Sequence, residues 1–259
     1  MTPVIGLAAW RLPVHGVAAL QLARRVGADG VQFDLGGPGR GPWLDAPGGI
    51  DTLRGAAGEL GVEVLGVAGN VLNDIGLTEP AAEAVIERLL DAAEALGAPL
   101  AFVPSFRRSA IDGPTMLART AAVLRRAAVE GEARGVMLAN ENVLGPEDAV
   151  TLADEVGSPL FRLLLDTYNP RAAGVDVSRL IAHAAKHFAD QIHVKDGVAG
   201  TDRTPLLGDG DGEVDEALAA VSRHLPATRA LVLENDYRDG DEARLAADLA
   251  RARAYAEGL

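Results

Sequence analysis

Short apolar runs alternate along the whole chain with longer Ala- and Leu-rich stretches whose apolar positions recur at helical spacing. The runs are "VIGLAAW" (4–10), "GVQFDL" (30–35), "VEVLGVAGN" (62–70) and "LAFVPSF" (100–106), then "VMLANEN" (136–142), "FRLLLDTYN" (161–169), "QIHVKDG" (191–197) and "LVLEND" (231–236). Most are fed by a helix-then-glycine signal, as in "LARRVGADG", "AAGELGVEV", "AEALGAPLA" and "EARGVML". Glycine in that place suits a helix C-cap before the next strand. Near-continuous apolar strands between helices predict a parallel sheet covered by helices. Eight such units predict a single (β/α)8 TIM barrel over residues 1–259 better than an open doubly wound sheet. No glycine fingerprint of a dinucleotide site follows the first run, which points the same way. The stretch "GGPGRGPW" (36–43) reads as an extended loop, with Trp43 a weak lid candidate.

Composition narrows the function. Hydrophobic residues are 48% of the chain and aromatics only 4%, so the core is built mostly from Ala, Val and Leu. The formal charge of −13 repels phosphate backbones and anionic lipid, so neither nucleic acid nor a membrane is an expected partner. The absence of cysteine excludes disulfides, thiolate metal sites and a cysteine nucleophile. "MTPVIGLAAW" lacks the basic start and cleavage site of a signal peptide, so a cytoplasmic location is expected. The sequence leaves a homo-oligomer open.

In a TIM barrel the chemistry sits at the carboxyl ends of the strands. The last four runs carry Glu141, Asp166, His193 and Glu234 at those ends, about one βα unit apart. Neighbouring strands ~4.8 Å apart would bring the four side chains together. Three carboxylates so placed repel one another unless a cation neutralises them. Three oxygens and one imidazole nitrogen suit one divalent ion, Mn²⁺ first, with Mg²⁺, Co²⁺ or Zn²⁺ as alternatives. Each residue alone also has a plainer reading: a strand-end carboxylate bonded to a loop, or a satisfied buried histidine. All four at equivalent positions are hard to explain that way.

These residues also carry a resemblance. Glu, Asp, His and Glu closing the fifth to eighth strands, "GADGVQFDL" in the second unit, and "IHVKD" followed by "LGDGDGEVD" in the seventh resemble the xylose isomerase-like TIM-barrel superfamily of sugar isomerases and epimerases. The resemblance implies that Glu141 and Glu234, besides binding metal, act as acid and base on opposite faces of a carbohydrate-like substrate. Glu147, six residues after Glu141, matches a position where ketose epimerases place a substrate-contacting glutamate. Two departures stand out. Asn169 replaces a histidine three residues after the metal aspartate, and Ala199 replaces an arginine six residues after the metal histidine. Lys195 or Arg203 could restore the missing positive charge.

The chemistry has its own logic. A divalent ion bridging a carbonyl and its adjacent hydroxyl stabilises the enediolate left when the α-proton leaves. Return of a proton on the other face epimerises, return at the neighbouring carbon isomerises, and loss of a β-hydroxyl dehydrates. Function is therefore read as a metal-dependent isomerase or epimerase. The alternative is a dehydratase or lyase on a keto-cyclitol or oxidised glycoside. A non-catalytic sugar-binding barrel has no need of the base, and an apurinic endonuclease-like phosphodiesterase would need more strand-end histidines.

Other candidates are weaker. Lys195 shares a strand face with His193 and reads either as a substrate contact or as an ion pair with Asp196 or Asp166. Asp34 reads as a substrate contact or a loop cap, and Trp10 as a sugar-stacking wall or a barrel plug. His183 and His187 in "HAAKH" share a helical face, but without a metalloprotease glutamate they read as solvated surface. His15 and His224 read as structural. The acidic stretches "DGDGE" and "DYRDGDE" lack an EF-hand register and read as solvated turns, with a lid over the site as the alternative.

Overall fold

The computed structural model describes residues 2–201 and 203–259. Eight parallel strands close on themselves in sequence order: β1 (Val4–Ala8), β2 (Gly30–Asp34), β3 (Glu63–Ala68), β4 (Leu100–Pro104), β5 (Met137–Glu141), β6 (Phe161–Asp166), β7 (Phe188–Val194) and β8 (Ala230–Leu233). β8 pairs with β1 in parallel from Val4↔Ala230 to Leu7↔Leu233, so no edge is left open. Among the described residues, ten α-helices surround the barrel: α1 (Val17–Val26), α2 (Gly49–Leu60), α3 (Leu72–Ile75), α4 (Ala82–Leu96), α5 (Pro114–Arg134), α6 (Pro146–Val156), α7 (Asn169–Ala172), α8 (Val177–Ala184), α9 (Val214–His224) and α10 (Glu242–Glu257).

Local chemistry sets these elements. Pro114 and Pro146 open α5 and α6, where the missing N–H costs nothing. Asp176 and Asp241 cap α8 and α10 by accepting the amides of Arg179 and Arg244. Gly27, Gly61, Gly97 and Gly135 close α1, α2, α4 and α5 in the left-handed conformation that the helix-then-glycine pattern predicts.

The main core lies between strands and helices and is dominated by Ala, Val and Leu. Inside the barrel, smaller apolar layers gather Leu65, Ala230 and Val232, and Leu100, Phe102 and Leu164; Trp10 packs against both. No helix among the described residues is long and apolar enough to cross a membrane.

Three details differ from the sequence expectation. "VIGLAAW" is strand only to Ala8; Ala9–Arg11 form a 3₁₀ turn that swings Trp10 and Arg11 over the barrel. β8 stops at Leu233, one residue short of Glu234. The helix carrying "HAAKH" ends at Ala184 and passes into a 3₁₀ turn, so His183 and His187 share no continuous helical face. His187 Nε2 lies instead 3.4 Å from Asp154 Oδ1. His15 and His224 are exposed.

Candidate active site

Pairing register brings the last four units level. Pro104 faces Glu141 across β4–β5, Asp166 faces His193 across β6–β7, and His193 faces Val232 across β7–β8. Glu141, Asp166, His193 and Glu234 are all buried, and one ligand atom from each lies within 4.8 Å of the others.

Most of these side chains are held by one atom and leave another bare. Asp166 Oδ1 accepts the amides of Tyr168 (2.8 Å) and Asn169. Glu234 Oε1 accepts Trp10 Nε1–H (2.9 Å) and Arg11 Nε and Nη2 (3.2 and 3.1 Å). Glu141 Oε1 accepts Asn169 Nδ2 at 3.0 Å. His193 Nε2 meets Gln32 Oε1 at 2.8 Å. The opposite atoms, Asp166 Oδ2, His193 Nδ1 and Glu234 Oε2, are buried without a hydrogen-bond partner among the described residues. His193 Nδ1 is 3.7 Å from both Glu141 Oε2 and Glu234 Oε2. Buried polar atoms are rarely left unpaired. Their convergence fits a divalent cation, and the oxygen-rich donor set fits its chemistry.

The electrostatics are uneven. Burial pushes the Asp166 carboxyl up to about 7, against the pull of Lys195 and with the charges of Glu234 and Glu141 adding to the rise. Burial works in the same sense on Glu234, but Lys195, Arg11 and His193 outweigh it and hold that carboxyl well below the usual range. Burial opposes protonation of His193, yet the neighbouring carboxylates, Glu141 foremost and then Glu234 and Asp166, raise it overall. The His193 ring is walled by Phe102, edge-on at 5.2 Å between centroids, and by Trp10 at 6.0 Å.

Around the cluster, Lys195 Nζ donates to Asn169 Oδ1 at 3.1 Å and lies 3.8 Å from Glu234 Oε2. Asn169 and Lys195 thus bridge the two glutamates. Neither ion pair weighed for Lys195, with Asp196 or with Asp166, forms among the described residues; its nearest carboxylate is Glu234. Asp196 is buried and accepts four amides: Gly197 and Gly212 on Oδ1, Gly208 and Gly210 on Oδ2, all at 2.8–2.9 Å. A Cβ at Gly212 would come 2.6 Å from Asp196 Oδ1, so only glycine lets the loop close there. "DGDGE" is therefore drawn around an internal carboxylate, not a loosely solvated turn. Beneath it, Asn235 accepts the Asp196 amide and donates to Asp248, which also takes Tyr237 O–H and the Leu207 amide.

Other candidates lie apart from the cluster. Asp34 closes β2 beside Arg40 (3.9 Å); burial pushes its carboxyl up to about 6 against that charge. Glu147 is exposed in the first turn of α6 and pairs outward with Arg179 of α8 at 2.5 Å. Ala199 and Arg203 sit on an exposed loop, and Ala199 receives no side-chain role there beyond its amide donating to Asp211. Trp43 is pinned under the Arg88 guanidinium, 4.2 Å from the ring centroid, rather than free to close over the mouth. A surface groove of about 660 Å³ runs along α4 and α5 outside the barrel and contains none of the four clustered residues.

Sequence reasoning missed Gln32, Gln191 and Arg11. The signal for the two glutamines was an amide inside an otherwise apolar barrel strand.

Comparison with known proteins agrees with this architecture. A family model described as Xylose isomerase-like TIM barrel matches residues 20–255. A 2-epi-5-epi-valiolone 7-phosphate 2-epimerase of Actinoplanes sp. is 55% identical over 255 residues, covering 98% of this chain and 94% of that protein. An L-ribulose 3-epimerase structure matches with a TM-score of 0.80 at 18% identity, over 98% of this chain and 95% of that one. The IOLI protein, solved with a binding zinc atom, matches at 0.79 and 17% identity over 99% of both chains. At such identities the two structures speak for the fold, while the family match and the Actinoplanes relative speak for descent. The chain belongs to the xylose isomerase-like TIM barrel family.

Proposed function

We propose that this protein is an epimerase that inverts a carbon next to the carbonyl of a phosphorylated polyhydroxy ketone, with 2-epi-5-epi-valiolone 7-phosphate as the substrate to test first. The observation that carries the chemistry is the convergence of Asp166 Oδ2, His193 Nδ1 and Glu234 Oε2, buried and unpaired, beside Glu141. The substrate rests on the 55% identity to the Actinoplanes epimerase. Asn169 and Ala199, where ketose epimerases carry histidine and arginine, support a substrate other than an ordinary ketose.

Glu141, Asp166, His193 and Glu234 would hold one divalent ion, with Mn²⁺ the first choice. Bound there, the ion supplies electrophilic stabilisation to the negative charge that develops on the substrate's carbonyl oxygen. β5, which bears Glu141, and β8, which ends just before Glu234, flank the strands bearing Asp166 and His193, so the two glutamates stand on either side of the site. Glu234, kept ionised by Lys195 and Arg11, accepts the proton from the carbon. Glu141 returns a proton from the other side, and the roles exchange in the reverse direction. Lys195, held by Asn169, donates to a substrate oxygen in place of the missing arginine. Trp10 and Phe102 form an apolar wall that limits water near the exposed carbanion.

The test is turnover of 2-epi-5-epi-valiolone 7-phosphate with Mn²⁺ in deuterated water. One carbon should invert and take up deuterium. E141Q and E234Q keep the shape but lose the base, and each should slow exchange by about 10²-fold or more. Exchange at the wild-type rate in both variants would place the chemistry elsewhere.

A further inference from the structure

A buried chain of hydrogen bonds inside the barrel has only one consistent direction. It starts at the main-chain carbonyl of Leu65, which can only accept. Gln191 Nε2 donates to that oxygen at 2.7 Å. The Gln191 carbonyl is then left to accept Gln32 Nε2–H at 2.9 Å. Gln32 in turn presents its own carbonyl oxygen to His193 Nε2 at 2.8 Å, and an amide oxygen can only accept. Turning over Gln191 would set its oxygen against the Leu65 carbonyl and its N–H against the Gln32 N–H, and turning over Gln32 would set its oxygen against the Gln191 oxygen. All three side chains are at most 1% exposed, so water cannot repair such a mismatch.

We infer that Gln32 and Gln191 are positioning residues that lock neutral His193 with its proton on Nε2, leaving Nδ1 as a bare lone pair facing Glu141 and Glu234. The alternative tautomer would donate from Nδ1 to one of those carboxylates, 3.7 Å away, and so satisfy the cluster without a cation. The amide chain removes that option. It keeps a donor out of the centre and an acceptor in it, as a cation site requires. The assignment of the proton stands on the hydrogen-bond chain alone; its benefit for cation binding rests on the reading of the cluster given above.

The experiment is long-range proton–nitrogen NMR on protein labelled with nitrogen-15 in its histidines. Spectra are taken with Zn²⁺ as a diamagnetic probe, and without metal at a pH high enough for the nitrogen shifts to show a neutral ring. His193 should carry its proton on Nε2 in both, and Nδ1 should show the metal-bound shift with Zn²⁺. A proton on Nδ1 of the neutral ring would overturn the inference. A proton on Nε2 with no Zn²⁺-dependent shift would uphold it and instead refute the metal site. Q32M, which removes the acceptor at similar volume, should populate the second tautomer and weaken Zn²⁺ affinity about 10- to 100-fold. Q32E, which can still accept from Nε2, should restore the tautomer. If Q32M and wild type show the same tautomer and affinity, the chain does not position the ring.

Discussion

Asp166 and Glu234 are carboxylates in one buried cluster, yet their surroundings push them in opposite directions. The difference is one of neighbours: Glu234 is grasped by Trp10 and Arg11 and faces Lys195, while Asp166 has two backbone amides and the charges of two glutamates. Because Asp166 is raised to about 7 from an unfolded value near 3.9, the ion-free fold holds its proton across that interval when the unfolded chain does not. Its contribution to stability is therefore present at low pH and lost as pH rises towards 7. His193, also raised, acts in the same sense: its share is present below about 6.5 and disappears as pH climbs through the folded value. Glu234, lowered, stabilises above about 4.5 and loses that contribution only in acid. Chelator-treated protein should accordingly melt at a lower temperature at pH 8 than at pH 6. Added divalent ion should raise the melting temperature more at pH 8 than at pH 6, since fewer protons compete. Calorimetry at both pH values, with and without chelator, checks this; an equal gain at both would contradict it. D166N imitates the protonated carboxyl, so it should flatten the ion-free profile and lose most of the gain from metal.

The four clustered residues were legible because each interrupts an apolar run at its carboxyl end, where the barrel puts its chemistry. Their partners were not. Gln32 and Gln191 stand inside strands, where a polar residue reads the same whether it lines the barrel or faces water. Strand ends were blurred for a related reason. The apolar pattern of "VIGLAAW" continues to Trp10, but its indole must reach Glu234, and the chain turns at Ala9 to let it. Nor does a string such as "DGDGE" reveal that its amides point inwards. The loop segment around Gly208, Gly210 and Gly212 hangs on Asp196, whose side chain takes their three backbone N–H groups and that of Gly197. D196A would strand those donors, and a loss on the order of 3 kcal/mol is expected, since hydrogen bonds to charged groups are worth about twice neutral ones. Urea denaturation measures the loss, and amide exchange at Gly208, Gly210 and Gly212 should accelerate with it. D211N, altering an exposed carboxylate of the same loop, should change stability by no more than about 0.5 kcal/mol. Comparable losses in the two variants would mean that Asp196 does not hold the loop.

Across the whole molecule, the seam between β8 and β1 is where the cluster is completed. Trp10 and Arg11 belong to the first unit, Glu234 to the last, and their three hydrogen bonds span the closure. W10F keeps the ring but removes one donor from Glu234. It should reduce turnover about tenfold, corresponding to roughly 1–2 kcal/mol for a hydrogen bond to a charged acceptor. The fold should survive, because the ring still packs against Phe102 and His193. Steady-state rates paired with thermal melts separate the two effects; unchanged turnover would show that Arg11 alone suffices.

The same seam sets an order in time. During synthesis, Trp10 leaves the ribosome early and Glu234 more than two hundred residues later. A nascent chain that has made β1 through β7 already holds Glu141, Asp166 and His193, but its opening turn waits without the carboxylate it is shaped to grip. Only when β8 slots between β7 and β1 do the fourth residue of the cluster and its clamps meet. Closing the barrel and completing the cluster are, in this protein, a single event.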